Sequence, residues 1–144
     1  MLEESIMNLY GKMRVAFYRR IFTELRERES SLSATEMFSV DIIERLNRPT
    51  IGEFADFIGV SFPSVTYKVN SLVEKGYIKR VRSETDRRES YLELTDKYYD
   101  YAKLNTGEIS KAVARIEAEF SPSEIKTFMD IMSILEDGVD ESNE

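Results

Sequence analysis

Thr50-Ile51-Gly52-Glu53-Phe54-Ala55-Asp56-Phe57-Ile58-Gly59-Val60-Ser61-Phe62-Pro63-Ser64, with the run that follows it to Gly76, decides the fold of this 144-residue chain. Thr50 with Glu53 three residues later has the form of a capping box, in which hydroxyl and carboxylate each satisfy a backbone N–H of the first turn. Phe54, Ala55, Phe57 and Ile58 then supply an apolar face, and Gly59 suits the left-handed backbone that closes a short helix. Ser61 is placed to cap the next helix and Pro63 falls in its first turn, where a missing N–H is harmless. Val65, Val69, Leu72 and Val73 form the stripe of that helix until Gly76. Two short helices therefore meet at a tight Gly59-Val60 turn. Tyr77 to Arg82 and the alternating Tyr91-Leu92-Glu93-Leu94 read as strands around a polar loop, Ser83 to Glu89. Helix, turn, helix, hairpin is the order of a winged helix-turn-helix.

Upstream, Ser33 with Glu36 is a second capping box, and Met37, Val40, Ile43 and Leu46 predict a helix from Ala34 to Leu46 that Asn47-Arg48-Pro49 stops. From Leu2 to about Arg28 apolar residues recur at Leu2, Ile6, Leu9, Met13, Ala16/Phe17, Ile21 and Leu25, the spacing of one helical face. So long a stripe in so short a chain calls for a partner surface, and a second copy of the chain is the natural one. Downstream, Thr95 is expected to cap a helix past Tyr98, Tyr99, Ala102, Ile109, Val113 and Ile116, interrupted at Asn105-Thr106-Gly107. Ser121-Pro122-Ser123-Glu124 opens a last helix with Ile125, Phe128, Met129, Met132 and Leu135 inward, the second half of the expected dimer seam. The expected fold class is mainly α with a small β-wing, an α+β chain. It divides into an N-terminal dimerisation helix (1–31), a winged domain (32–96, recognition helix about 61–75, wing about 77–94), C-terminal dimerisation helices (97–136) and an acidic flexible tail (137–144).

Composition narrows the function. With no cysteine and no histidine, disulfide scaffolds, Cys/His zinc sites and every Cys- or His-based catalytic arrangement are excluded. No catalytic residue, metal site or cofactor is expected. Met1 to Ser5 carries two glutamates where a signal peptide has bases, and apolar runs are only a few residues long, so a cytoplasmic location without membrane contact is expected. The net charge is −7, yet Ser61 to Ser90 holds Lys68, Lys75, Lys79, Arg80, Arg82, Arg87 and Arg88 against Glu74, Glu84, Asp86 and Glu89. That is a local excess of three positive charges, which leaves −10 elsewhere. Cations gathered on a helix and hairpin suit the neutralisation of phosphates.

Leu32-Ser33-Ala34-Thr35-Glu36, Ile51-Gly52-Glu53-Phe54-Ala55, Gly59-Val60-Ser61, Leu72-Val73-Glu74-Lys75-Gly76-Tyr77-Ile78 and, above all, Asp86-Arg87-Arg88 running into Leu94-Thr95 resemble the MarR family of transcriptional regulators. The resemblance covers nearly the whole chain. It implies a homodimer of winged domains, joined by interleaved terminal helices through Leu2, Ile6, Leu9, Met13, Ile125, Phe128, Met129, Met132 and Leu135. It also implies binding to pseudo-palindromic double-stranded DNA operators, retuned by small ligands. Carried onto this chain, it places Ser61, Pro63, Ser64, Tyr67, Lys68 and Asn70 toward DNA on one helix, and Lys79, Arg80, Arg82, Asp86, Arg87 and Arg88 on the wing. Ser64 and Asn70 suit base edges or phosphates, Tyr67 a phosphate or thymine methyl, and Lys68 phosphate charge. Asp86 and Arg88, two apart on an extended wing, share a side, so the carboxylate is expected to hold the guanidinium for a minor groove. Tyr10, Met13, Phe17 and Phe38 are the expected ligand-binding residues, with an aromatic or phenolic effector the family-level expectation. The chain departs from the family at Tyr67, where many members carry Arg, and at Tyr98, where Gly is common. A winged helix used for protein docking, or an acidic antagonist of another regulator without DNA binding of its own, is the competing class.

Overall fold

Each of the first two helices of the winged segment starts where a hydroxyl and a glutamate meet three residues apart. In the computed structural model, which describes residues 1–27, 32–103 and 107–140, Ser33 N donates to Glu36 Oε2 at 2.7 Å while Glu36 N donates to Ser33 Oγ at 3.3 Å. Thr50 and Glu53 repeat the exchange at 2.7 and 3.1 Å. The elements in order are α1 (Leu2–Glu27), α2 (Ala34–Arg45), α3 (Ile51–Ile58), α4 (Phe62–Glu74), β1 (Ile78–Arg82), β2 (Ser90–Leu94), α5 (Asp96–Lys103), α6 (Gly107–Glu119) and α7 (Pro122–Asp140). They form two compact units, Met1–Asp100 and Tyr101–Glu144.

In the first unit, Gly59 ends α3 at φ 65, the left-handed conformation in which a side chain is disfavoured. The core is built by Met37, Val40 and Ile43 of α2, Phe54 of α3, Val65, Val69 and Leu72 of α4, and Ile78 and Leu92 of the hairpin, all fully buried. Each contributes roughly 1.5–3 kcal/mol of transfer free energy. The two strands pair antiparallel, Ile78 opposite Leu94 and Arg82 opposite Ser90. The hairpin is tied to the α2–α3 turn, since Leu92 N donates to Pro49 O at 2.8 Å and Thr50 bridges Tyr91. That turn holds two non-glycine residues left-handed, Asn47 at φ 52 and Arg48 at φ 65, a strain of roughly 1–2 kcal/mol each. The Arg48 side chain is anchored in compensation: Nε lies 2.7 Å from Glu93 Oε1, and the guanidinium sits 4.7 Å from the Tyr91 ring centre.

Glu36 supplies the long-range polar contacts that join α4 to α2. Beyond its capping role, Oε1 accepts from Ser71 Oγ at 2.6 Å and Oε2 accepts from Lys75 Nζ at 2.7 Å. Burial alone would raise the carboxyl's pKa. The bonds from Lys75, Ser71 and the Ser33 backbone together outweigh burial and bring it down from 4.5 to about 2.

Several local expectations are corrected. Val73 is exposed, because the residue after Leu72 turns about 100° away from the buried line. Ser61 occupies the cap position of α4 but makes no cap bond; its hydroxyl donates to Ser64 Oγ at 3.0 Å. The Thr95 hydroxyl seals the α4–β1 junction instead of the start of α5, donating to Gly76 O at 2.6 Å and Tyr77 O at 3.1 Å. On α1, Ile21 is buried and Phe17 half-buried, whereas Leu2, Leu9 and Met13 are exposed and Ile6 half-buried. A second exposed apolar line, Met7, Val15, Tyr18 and Phe22, runs along the same helix.

In the second unit, reciprocal Ser121–Glu124 bonds open α7, Ser121 N to Glu124 Oε2 at 2.9 Å and Glu124 N to Ser121 Oγ at 3.4 Å. Ile125, Phe128, Met129, Met132 and Leu135 are not inward in the single chain: Phe128 and Met129 are exposed and the other three half-buried. Two helices alone cannot cover both apolar stripes. The α7 helix also runs on through Asp140, past the expected end near Glu136, with Val139 repeating the spacing from Leu135. The Leu25 side chain, the break at Asn105-Thr106 and the tail acids Glu141 and Glu144 lie outside the described residues.

Because the folded pKa of Glu36 is depressed, its contribution is fully present above about pH 4.5 and is lost as pH falls toward about 2. Urea unfolding should show Glu36→Gln less stable by about 1–3 kcal/mol at neutral pH, with the gap narrowing through that acid window. A gap that stays constant down to the lower limit would contradict the assignment.

Candidate nucleic-acid interface

The spacing that buries Val65, Val69 and Leu72 turns the opposite side of α4 to solvent. Ser61, Pro63, Ser64, Tyr67 and Asn70 are exposed there, Tyr67 by 78%, and Lys68 is half-buried. Between this face and the start of α2 runs an open groove of about 650 Å³, lined by Ser33, Thr35, Glu36, Pro63, Ser64, Tyr67, Lys68 and Ser71. Its rim is hydroxyls and an ammonium. Asn70 is not wholly free to read a base: its Oδ1 accepts a hydrogen bond from the Arg80 guanidinium on β1, which ties helix and wing together.

The cations of α4 and the wing divide into two sets. Lys79 Nζ lies 3.3 Å from Glu93 Oε2, and Glu93 also holds Arg48; those two cations keep its carboxyl below the usual range. Lys68, Arg82, Arg87 and Arg88, in contrast, pair with no carboxylate among the described residues. Unpaired guanidiniums on a hairpin tip are available for phosphate or a narrow minor groove.

The hairpin loop is ordered by side chains bonding to nearby backbone. Ser83 Oγ accepts from Thr85 N at 3.3 Å and Asp86 N at 3.2 Å, and Asp86 Oδ1 accepts from Arg88 N at 2.9 Å. This corrects the expected role of Asp86. The short carboxylate reaches the main chain two residues on, as Asp does in turns, and so holds the Arg88 backbone while the guanidinium stays unpaired.

Of the expected ligand residues, the structure brings Phe17 and Phe38 together, with ring centres 5.9 Å apart. Arg20 lies over Phe17 at 5.1 Å and 3.8 Å from Asp41, whose Oδ1 accepts from Tyr98 Oη at 3.5 Å. Burial and the neighbouring Asp41 push the Tyr98 hydroxyl's pKa well up, so it stays protonated as a donor. The Tyr98 side chain thus packs α5 on α2. Tyr10 and Met13 remain on the exposed side of α1, Tyr10 beneath Arg14 at 5.1 Å.

Arg48, Thr35 and the Glu36–Ser71–Lys75 cluster were not singled out by spacing. Glu36 is legible as a cap, but partners 35 and 39 residues away leave no local signal. Among the described residues no group of His, Cys, Asp or Glu could hold a metal ion, and no helix is long and apolar enough to cross a membrane.

Comparison with known proteins extends this picture. An uncharacterised HTH-type transcriptional regulator of Bacillus subtilis (strain 168), YpoP, is 30% identical over 83 residues, 54% of this chain and 59% of the relative. The match thus spans about three fifths of the relative's length. FabT of Streptococcus pneumoniae, solved in complex with DNA, superposes with a TM-score of 0.55 at 27% identity, covering 94% of this chain and 98% of FabT. A MarR family regulator from Streptomyces coelicolor, also in complex with DNA, shares the fold with a TM-score of 0.52 at 17% identity, covering 94% and 86% of the two chains. The MarR family model matches residues 32–90, the segment that carries both capping boxes, the helix pair and the wing loop. Over that segment, the chain is similar to the MarR family.

Proposed function

We propose that the protein regulates transcription by binding duplex DNA as a homodimer, with α4 in the major groove and the wing alongside. The observation that carries this reading is the set of unpaired cations, Lys68, Arg82, Arg87 and Arg88, flanking the exposed polar face of α4 in a chain of net charge −7. The DNA-bound state of FabT supports the reading by likeness. In this account Ser64 and Tyr67 discriminate bases, Asn70 does so together with Arg80, and the free cations supply phosphate charge. The exposed apolar residues Leu2, Leu9 and Met13 on α1, and Phe128 and Met129 on α7, are then covered by the second copy, and two reading heads suit a pseudo-palindromic operator. Repression by promoter occlusion, and relief by an aromatic effector at Phe17 and Phe38, complete the proposal.

Fluorescence anisotropy on a labelled random duplex at low and moderate salt tests it. Binding should weaken steeply with salt, and Arg82→Ala should lower the salt slope by roughly 1. Lys79→Ala should lower it less, since Glu93 already neutralises that ammonium. No salt-sensitive binding would favour a protein-docking module instead.

The wing supplies a second test. Arg88→Ala should lose most affinity for a duplex that the wild type enriches from a random pool, with the fold intact. Asp86→Asn keeps an acceptor for Arg88 N and should bind that duplex as well as the wild type, while Asp86→Ala should lose roughly three- to tenfold. Equal losses for Asn and Ala would mean that the carboxylate's charge matters, against the backbone role.

Sedimentation of the full chain should give two copies per particle, and Leu9→Asp should shift it toward monomer or aggregate. A stable monomer of the wild-type chain at micromolar concentration would overturn the homodimer.

A further inference from the structure

The apolar contacts under α4 fix its distance from the core better than its position along or about its axis. Val65, Val69 and Leu72 are fully buried, and apolar attraction has no direction. Hydrogen bonds and ion pairs do have direction. Among the described residues, the hydrogen bonds and ion pair that join α4 and its C-cap Lys75 to α2 converge on one carboxylate: Ser71 Oγ on Glu36 Oε1 at 2.6 Å and Lys75 Nζ on Oε2 at 2.7 Å. Ser71 and Lys75 are one turn apart, so the two bonds grip α4 at two heights. The grip is itself anchored, because Glu36 is locked to its own helix start by the exchange with Ser33. Counting back from Ser71 by single turns, Tyr67 and Ser64 share its line on the helix, and both face the groove that Glu36 floors.

We propose that Glu36 is a positioning residue for sequence reading: through Ser71 and Lys75 it sets where along and about its axis α4 presents Ser64, Tyr67 and Lys68, without itself touching DNA. This rests on the DNA-reading function proposed above. A glutamine would serve the capping box equally well, since Glu and Gln both close it. Only the carboxylate also pairs with Lys75, so the charge is accounted for by the grip on α4. Base contacts depend on that placement far more than phosphate contacts do, because a cation reaches a phosphate over a range of geometries and a base edge accepts few.

The test compares two duplexes, the sequence that the wild-type chain enriches most from a random pool and a shuffled sequence of the same composition, at one salt concentration. Glu36→Gln should bind the enriched duplex at least tenfold more weakly and the shuffled duplex within twofold of wild type. Lys75→Met and Ser71→Ala leave the capping box intact and should show the same selective loss, Ser71→Ala the smaller. They decide the matter if Glu36→Gln does not fold. The double variant Glu36→Gln/Lys75→Met should be no worse than the poorer single one. A role confined to stability would lower both affinities by one common factor, and that result overturns the proposal. So does an enriched-to-shuffled ratio equal to wild type in Glu36→Gln and Lys75→Met. A wild-type chain that enriches no sequence overturns the DNA-reading function and this role with it, an outcome distinct from a discriminating wild type whose variants discriminate equally well.

Discussion

The carboxylate of Glu36 joins three requirements that the winged unit must meet together. It closes the first turn of α2, accepts from Ser71 and pairs with Lys75, so the start of one helix and the far half of another share one anchor. The pair lies at the margin of the core, with the glutamate side chain 11% and the lysine 30% exposed. Such a pair is weak evidence of net stability, since desolvation offsets much of the attraction. Its effect is to select one arrangement among several that the apolar core alone would tolerate. The groove, the exposed face of α4 and the reach of Tyr67 all follow from that arrangement.

Charge does the rest of the shaping. Acids outnumber bases by seven, yet Lys68, Arg82, Arg87 and Arg88 pair with no carboxylate among the described residues, while Lys79 and Arg48 share Glu93. The pairing is selective by position. Arg48 holds the α2–α3 turn to β2 and Lys79 pairs across the hairpin, while Lys68 on α4 and Arg82, Arg87 and Arg88 of the hairpin are left for a partner. A surrounding negative field disfavours indiscriminate association with polyanions and leaves one face attractive to DNA, which sharpens orientation on approach.

Features set by neighbours three or four residues apart were legible in the sequence. Both capping boxes, the left-handed Gly59, the buried Val65-Val69-Leu72 line and the hairpin around Ser83 to Glu89 are of this kind. So was the outward set on α4, because burial of one face names the other. Three hydroxyl or carboxylate roles were not. Ser61, Thr95 and Asp86 each have more than one backbone or side-chain partner within reach, and tertiary geometry chose among them: Ser64 for Ser61, the Gly76 and Tyr77 carbonyls for Thr95, and the Arg88 amide for Asp86. The pairing of Glu36 with Lys75 and the left-handed Arg48 stacked on Tyr91 depend on residues about 40 apart, and a single chain carries no sign of such contacts. The second apolar line on α1, Met7, Val15, Tyr18 and Phe22, escaped because one amphipathic stripe already accounted for the helix.

The central claim is that duplex DNA is met by the polar face of α4 and the unpaired cations of the wing. Backbone amide NMR of the full-length protein, titrated with a duplex enriched from a random pool, tests it most directly. The account predicts that the largest shifts fall on residues 61–70 and 82–89, with the α1 and α7 amides moving least. Shifts concentrated on α6 and α7, or none at saturating duplex, would contradict it.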